Sequence, residues 1–424
     1  MGYWKQQQIK DEGNRARGYE IPERGNKYLC LFHFRNKHLI SLLKQHAIKH
    51  KCSYCGKQSD VIDLADFIEC VCLRLTEYVG LIDDENLYLA SSFLDNDKDE
   101  VPGWIRRGPY VAPDNVEYYE SADEVMADFD LCSDNENLNI DIEHCLYVNG
   151  WIRRDPTGLL MRDHMKFSWE AFSELVKGKI RYTFFRSAEY YQDIDNTYVG
   201  NDIVANISSM VGILAQKLPI GTKIYRGRPK DGQGTYLAFK DLTAPPKEYA
   251  KNNRMTPQGI SVFYGSLEPN TPISEIQNYL PDKTTRIYLG EFVTTKELNI
   301  IDLCNIPIPD FWMGENGDWQ KYAFLRDFHK EISKPINPYD APIDYIPTQI
   351  FSEYLRFIQK TDSGESYDGI IYRSSLTGKE NIVLFYDDIS SANVLSLNRI
   401  CTKKESVDVD MFPPIGIVRT TLVE

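Results

Sequence analysis

The sequence predicts an α+β protein, with a mainly helical N-terminal region followed by a strand-rich domain. Three observations carry this. Apolar residues recur at helical spacing through the first half, as in Leu39-Ile40-Leu42-Leu43 and Ala65-Phe67-Ile68-Val71. Beyond Gly221 the texture changes to short β-type runs: KIYRGR, GISVFYGS, RIYLGEFV, DGIIYRSS and NIVLFYD. Helical pieces interrupt these runs only at 271–280, 320–333 and 348–360. Such a mixture with long loops points to an α+β domain and away from a doubly wound parallel sheet. The third observation is a pair of ligand pairs near the N-terminus, Cys30-x-x-His33 and Cys52-x-x-Cys55.

In chain order, residues 1–26 are rich in Lys, Arg, Gln and Gly and read as a mobile lead-in. Residues 27–195 form the helical region, in which two helices are expected to flank the Cys-x-x-Cys turn. A short echo, Gly103-Trp104-Ile105-Arg106-Arg107 and Gly150-Trp151-Ile152-Arg153-Arg154, suggests two similar loop-to-strand corners and is too brief for a repeat protein. Phe167–Val176 is amphipathic, and a further helix is expected over Ile203–Leu218, stopped by Pro219-Ile220-Gly221. The strand-rich domain occupies 196–400, and 401–424 forms a C-terminal tail.

With 424 residues, 42% of them hydrophobic, and 19 Phe, 27 Tyr and 6 Trp, the chain can fill more than one core. A net charge of −14 opposes non-specific binding to nucleic acid or anionic lipid, because the long-range field repels phosphate. Asp83–Glu143 holds 18 acidic residues against Lys98, Arg106 and Arg107. A solvated face explains that stretch; a surface for a basic partner is the alternative. No apolar run approaches membrane-spanning length, and the first residues have no apolar signal core, so a cytoplasmic protein is expected. Nine cysteines in such a chain do not suggest a disulfide framework.

The two ligand pairs suit zinc, which accepts sulfur and nitrogen in a tetrahedron, and the glycine after Cys55 gives KCSYCGK the texture of a zinc knuckle. A structural site is expected, since Cys30, His33, Cys52 and Cys55 fill all four positions. His38, His46 and His50 compete with His33 for the fourth place. A redox Cys-x-x-Cys is the other reading, but no βαβ pattern accompanies it.

The C-terminal half contains the parts needed to break a bond between a cationic base and a ribose. A carboxylate stabilises the oxocarbenium-like sugar, arginines hold pyrophosphate, and an aromatic ring packs against the base. Glu275 follows Thr271-Pro272, a plausible N-cap and first helical residue, which would set it in the first helical turn. Each residue alone has an ordinary explanation as a surface charge, core aromatic or turn serine. Their order and spacing carry the weight.

The stretch from Ala244-Pro245-Pro246 through Arg254-Met255, Gly259-Ile260, Phe263-Tyr264-Gly265-Ser266 and Thr271 to Glu275 resembles the central block of RES domains. PTQ-I-x-x-E-Y-L and Y-D-G-I-I-Y-R-S-S…N-I-V-L-F resemble the next two blocks in the same order, over about residues 205–395. The Cys/His segment and SWEAF-x-x-x-V-K-x-x-x-R-Y-x-F-F resemble the extension of the HEPN-linked RES group. The resemblance implies a fold similar to ADP-ribosyltransferases and an enzyme that consumes NAD. It implies Arg226, Glu275 and Ser374 as the signature catalytic residues. For NAD binding it implies Arg228 and Arg254 as further basic contacts, Tyr264 as the stacking ring and Asn381 as a polar neighbour. Asn253, Thr256 and Pro272 depart from the usual pattern at the cleft entrance. No Arg is followed at the HEPN ribonuclease spacing by His, so ribonuclease activity is not expected. Cleavage by water or phosphate would suit a bacterial toxin or anti-phage effector. An antitoxin or regulatory protein would then be needed, or the acidic Asp83–Glu143 stretch would cover a cleft made positive by Arg226, Arg228 and Arg254; a homo-oligomer stays open. Two rival readings are an ADP-ribosyltransferase acting on a macromolecule and a non-catalytic zinc-containing adaptor.

Overall fold

A computed structural model describes residues 3–81, 118–147, 150–154, 159–185, 201–230, 235–280, 286–315, 317–337, 339–403 and 410–411. The chain divides into two compact units, Met1–Asp163 with Ile308–Lys321, and His164–Pro307 with Tyr322–Glu424. A piece taken from within the C-terminal half therefore belongs to the N-terminal unit. Most of the acidic stretch, and the first Gly-Trp-Ile-Arg-Arg, lie outside the described residues.

In the first unit, the expected lead-in forms helix α1 (Tyr3–Ala16), with Lys10 paired to Glu69 at 2.5 Å. Strand β1 (Tyr28–Cys30) leads to α2 (Lys37–Lys44), β2 (Ile48–Lys51), β3 (Gln58–Asp63) and α3 (Leu64–Tyr78). The strands pair in the order β1-β3-β2. The Cys-x-x-Cys turn is thus the tip of a β-hairpin, and the two expected helices lie beyond its strands. Helical periodicity located α2 and α3 correctly, but it could not register strands only four to six residues long. Asn36 caps α2 by accepting from the His38 and Leu39 amides, and Asp63 caps α3 through Ala65. Strand β4 (Val79–Leu81), β5 (Tyr118–Tyr119), α4 (Ala122–Asp128), α5 (Glu136–Cys145) and β6 (Trp151–Arg153) complete the unit, β6 lying between β4 and β5. The second Gly-Trp-Ile-Arg-Arg is therefore a strand entry, with Trp151 fully buried.

The core of this unit packs Phe34 on Phe67, Leu39, Ile68, Val71, Leu75 and Phe129, and it includes Trp312 from the inserted piece. Trp312 Nε1 donates to the Phe129 carbonyl at 2.6 Å. Buried Arg74 donates to the carbonyls of Phe311 at 2.6 Å, Met313 and Gly314 at 2.9 Å, and Glu315 at 3.1 Å. A buried guanidinium with so many acceptors is well satisfied, which ties residues 311–315 to α3.

The second unit begins within α6 (Met161–Gly178), which contains the expected amphipathic segment and buries Trp169, Phe172 and Val176. Helix α7 (Asn201–Val211) is shorter than expected. After a 3-10 turn the chain becomes β7 (Ala215–Leu218), because these residues pair antiparallel with 298–301. There follow β8 (Lys223–Lys230), β9 (Phe263–Ser266), α8 (Asn270–Tyr279), β10 (Arg286–Thr294), β11 (Leu298–Asp302), α9 (Asp318–Ile332), α10 (Ile346–Phe357), β12 (Gly369–Arg373), β13 (Glu380–Leu384), β14 (Leu395–Lys403) and β15 (Asp410–Met411).

The strands form one nine-stranded sheet in the order β15-β14-β10-β8-β9-β13-β12-β11-β7. Only β11 and β12 pair in parallel; the other neighbours are antiparallel. This mixed sheet agrees with the α+β expectation. Strand β8 pairs with β10 over eight positions but meets β9 only at Tyr225 and Ser266. The two strands separate beyond that pair, and the sheet opens there.

Candidate active site and metal centre

The opening between β8 and β9 is a cavity of about 200 Å³ lined by Arg226, Gly227, Pro245, Ala250, Asn253, Ile260, Val262, Tyr264, Gly265, Pro272, Glu275, Ile276, Tyr372 and Asn381. Helix α8 brings Glu275 to it by lying directly on β8. A Cβ on Gly227 would sit 2.6 Å from Ile276 Cδ1 and 3.3 Å from Pro272 Cβ, so this close approach uses a residue without a side chain. The apolar face of α8 packs Ile273 and Ile276 with Tyr225, Ile287 and Leu289.

Helix α8 starts at Asn270, one residue before the expected cap Thr271, so Glu275 stands in its second turn. Pro272 permits this, because the first-turn amides of a helix have no intrahelical partner to lose. The helix N-terminus thus contributes less to Glu275 than the sequence suggested, and local hydrogen bonds contribute more. Asn381 Nδ2 donates to Glu275 Oε1 at 2.9 Å, and the Ser374 hydroxyl donates to the same oxygen. Ser374 Oγ itself accepts from the amides of Leu376 at 3.4 Å and Thr377 at 3.3 Å, in the turn that ends β12. Glu275 Oε2 accepts from none of the described residues. A half-buried carboxylate is therefore pinned by one oxygen and open at the other.

Register places Tyr264, Asn381 and Tyr372 on one face of the sheet, since Asn381 pairs with Tyr372 and Val383 with Tyr264. The Tyr264 ring lines the cavity, and its hydroxyl is held by the Met255 amide at 3.2 Å and Thr256 Oγ1 at 3.0 Å. Burial pushes this phenol upward, so it stays neutral. Thr256, which departs from the family pattern, thus anchors the candidate stacking ring.

Arg226 lines the cavity from β8. Its guanidinium donates to the Tyr264 carbonyl across the opening and lies 5.4 Å over the Phe263 ring. Its buried Nε has no hydrogen-bond partner. Burial lowers this guanidinium to about 9, and the nearby charge of Arg228 adds to the fall. It remains a cation at neutral pH, and an incoming anion would relieve its desolvation.

The other two arginines lie elsewhere. Arg228 donates to the Thr243 carbonyl at 3.0 Å. Arg254 is buried, donates to the Ile332 carbonyl at 2.5 Å and the Lys334 carbonyl at 2.6 Å, and stacks on Tyr345. Neither lines the cavity. Arg254 caps the C-terminus of α9, where helix carbonyls lack internal donors. The expected three-arginine positive mouth is therefore a single lining arginine.

The role of the Pro-Thr-Gln block, which the sequence left unassigned, is to brace the loop before Tyr264. At the start of α10, Thr348 Oγ1 donates to the Arg254 carbonyl at 2.6 Å. Gln349 Nε2 reaches Asn252 Oδ1 at 2.8 Å and the Asn253 carbonyl at 2.7 Å.

In the first unit, the ligand atoms of Cys30, His33, Cys52 and Cys55 all lie within 4.8 Å of one another. Cys30 Sγ is 3.7 Å from Cys55 Sγ, and Cys52 Sγ is 3.5 Å from His33 Nε2. A tetrahedral zinc with ordinary bond lengths gives sulfur–sulfur and sulfur–nitrogen edges of about 3.7 and 3.6 Å. The cluster fits such an ion. His33 turns Nε2 inward, while Nδ1 meets Asp134 Oδ1 at 2.5 Å, the outer carboxylate that commonly fixes a metal-binding histidine. His50 lies outside, with its ring 4.4 Å from that of Tyr28. Burial raises the Cys52 thiol, but hydrogen bonds from the Cys55 and Tyr54 backbone and the His33 ring outweigh it and bring it to about 6. Burial pushes Cys30 up to about 12, so without a cation Cys30 and Cys52 differ in their preference for thiolate. Gly56, at φ +72°, closes the turn in a conformation that favours glycine.

Two family models match the chain: HEPN/RES N-terminal domain 1 over residues 45–190 and the RES domain over residues 223–404. The RES family is in general one of NAD-acting enzymes. The protein belongs to the RES/HEPN group. No curated protein matches it.

Proposed function

We propose that this protein cleaves the nicotinamide–ribose bond of NAD, with water or phosphate as acceptor, and acts as a toxin or anti-phage effector. The observation that carries this reading is Glu275, pinned through Oε1 by Ser374 and Asn381 and open at Oε2, in the cleft that Arg226 lines. Nicotinamide leaves as a neutral base from a cationic nucleoside, so the reaction needs no strong acid. A fixed carboxylate stabilises the positive charge that develops on the ribose. Arg226, with its unpartnered Nε, is the group suited to the pyrophosphate. Tyr264 offers a ring whose position is set by its hydroxyl. Ser374 positions Glu275 and takes no covalent part. Zinc at Cys30, His33, Cys52 and Cys55 has a structural role, since the cluster offers four protein ligands and leaves no open position.

The test is to incubate the full-length protein with NAD in phosphate-free and phosphate buffers and identify the products by chromatography. Free nicotinamide with ADP-ribose is expected in the first, and a phosphorylated ADP-ribose in the second if phosphate is the acceptor. Nicotinamide release only with a macromolecule present would select the transferase reading. Unchanged NAD under all conditions would remove the enzymatic one.

A further inference from the structure

Tyr372 is the next-to-last residue of β12, two residues before Ser374 and paired with Asn381 on β13. It lines the cavity and is 7% exposed. Two other buried tyrosines have partners: the Tyr119 hydroxyl donates to Asp128 at 2.6 Å, and the Tyr288 hydroxyl accepts from Arg286 at 3.3 Å. The Tyr372 hydroxyl has none among the described residues, and it is not one of their fully buried unpaired atoms, so it is open to whatever enters the cavity. Its neighbours are also those of the reaction, because Tyr264 and Glu275 both lie close enough to act on it. Burial, then Tyr264 and Glu275, push the phenol well above its ordinary range, so it keeps its proton and offers a donor.

We propose that the Tyr372 hydroxyl is a substrate-binding donor, directed to a ribose hydroxyl of the ligand in this cleft. The inference rests on the NAD reading for its ligand class. Among the described residues, Glu275 Oε2 is an acceptor without a donor and Tyr372 Oη a donor without an acceptor. A sugar hydroxyl supplies both functions from a single atom, whereas a phosphate supplies only acceptors and a carboxamide divides the two functions between its nitrogen and its oxygen. A core tyrosine would need neither the cavity nor the missing partner.

The experiment compares the full-length parent with Tyr372→Phe. Three quantities are measured: thermal midpoint, affinity for ADP-ribose by calorimetry, and KM and kcat for NAD. Phe keeps the ring and removes only the hydroxyl. The midpoint is expected to stay or rise, because no protein hydrogen bond is lost. ADP-ribose affinity should fall about 5- to 10-fold, the size of one hydrogen bond, with KM for NAD rising in step and kcat changing less. Equal affinities in the two proteins, no affinity in either, or a midpoint lowered by several degrees would overturn the proposal. If the parent turns over NAD while the affinities are equal, Tyr372 fails and the NAD reading stands. If the parent binds ADP-ribose through Tyr372 but leaves NAD intact, the NAD reading fails and the Tyr372 assignment stands.

Discussion

The Cys/His cluster and the Glu275 cleft are both small groups of polar side chains, but they are finished to different degrees. At the cluster, the four ligand atoms face one another within 4.8 Å, and even the outer nitrogen of His33 has its carboxylate. At the cleft, each group is held on one side and open on the other: Glu275 by Oε1, Arg226 by its bond to Tyr264, and Tyr372 by its ring alone. Closed polar sets of this kind stabilise a fold, whereas half-satisfied ones are completed by a ligand. The difference separates structure from chemistry within one chain.

Removing a cluster ligand should give the largest effect. If the proposed zinc is there, Cys52→Ser is expected to remove it and lower the thermal midpoint by about 10 °C or more, while any folded fraction still turns over NAD. Metal analysis and calorimetry check this; full zinc occupancy in the variant would put the ion elsewhere. Next is Glu275→Gln, which keeps size and loses charge. NAD turnover should drop about 10²- to 10³-fold, roughly 3 kcal/mol, with the midpoint unchanged. A variant as fast as the parent would break the comparison, since the cleft would then hold no essential charge.

A smaller effect divides the arginines. Arg226→Ala is expected to raise KM for NAD about 10-fold or more. Arg254→Met should act chiefly on stability, by about 2–3 kcal/mol, because its donors serve α9 carbonyls. Steady-state kinetics beside calorimetry separates the two, and equal KM changes would return Arg254 to the binding site.

How far these roles were legible follows from which contacts are local. The Cys/His spacing gave the cluster because two short turns supply all four ligands. Glu275, Ser374 and Asn381 were singled out through the resemblance to RES domains, and the fold brings them to one carboxylate oxygen. Arg254 was read as a binding residue because nothing nearby shows that residues 332–334 end a helix against it. Tyr372 was hidden in an apolar strand, where a tyrosine usually packs. Strand β7 took its form from residues 298–301, some 80 positions away, and helical periodicity there was overridden.

The smallest prediction concerns acid. Burial, with Arg373 adding, lowers His329 to about 4, whereas the unfolded ring titrates near 6.5. The unfolded chain then binds more protons between these values. This contribution is complete above the unfolded value and is lost as pH falls towards 4, with a slope of at most about 1.4 kcal/mol per pH unit, reduced by partial exposure. Denaturant titrations at several pH values should show a shallower acid loss in His329→Phe; an unchanged slope would mean that other groups dominate.

Residues 308–321 give the chain an order of assembly. Trp312 and the carbonyls that satisfy Arg74 belong to the core of the first unit, yet they follow eleven strands in the sequence. A ribosome making this protein must therefore synthesise more than two-thirds of it before the N-terminal unit can close, whereas most chains finish their first domain early. A nascent chain halted before Trp312 would present that core with Phe129 and Arg74 unmet. By the same connectivity, any fragment beginning at the strand-rich domain would carry 308–321 away from its packing partners and leave Trp312 without its core.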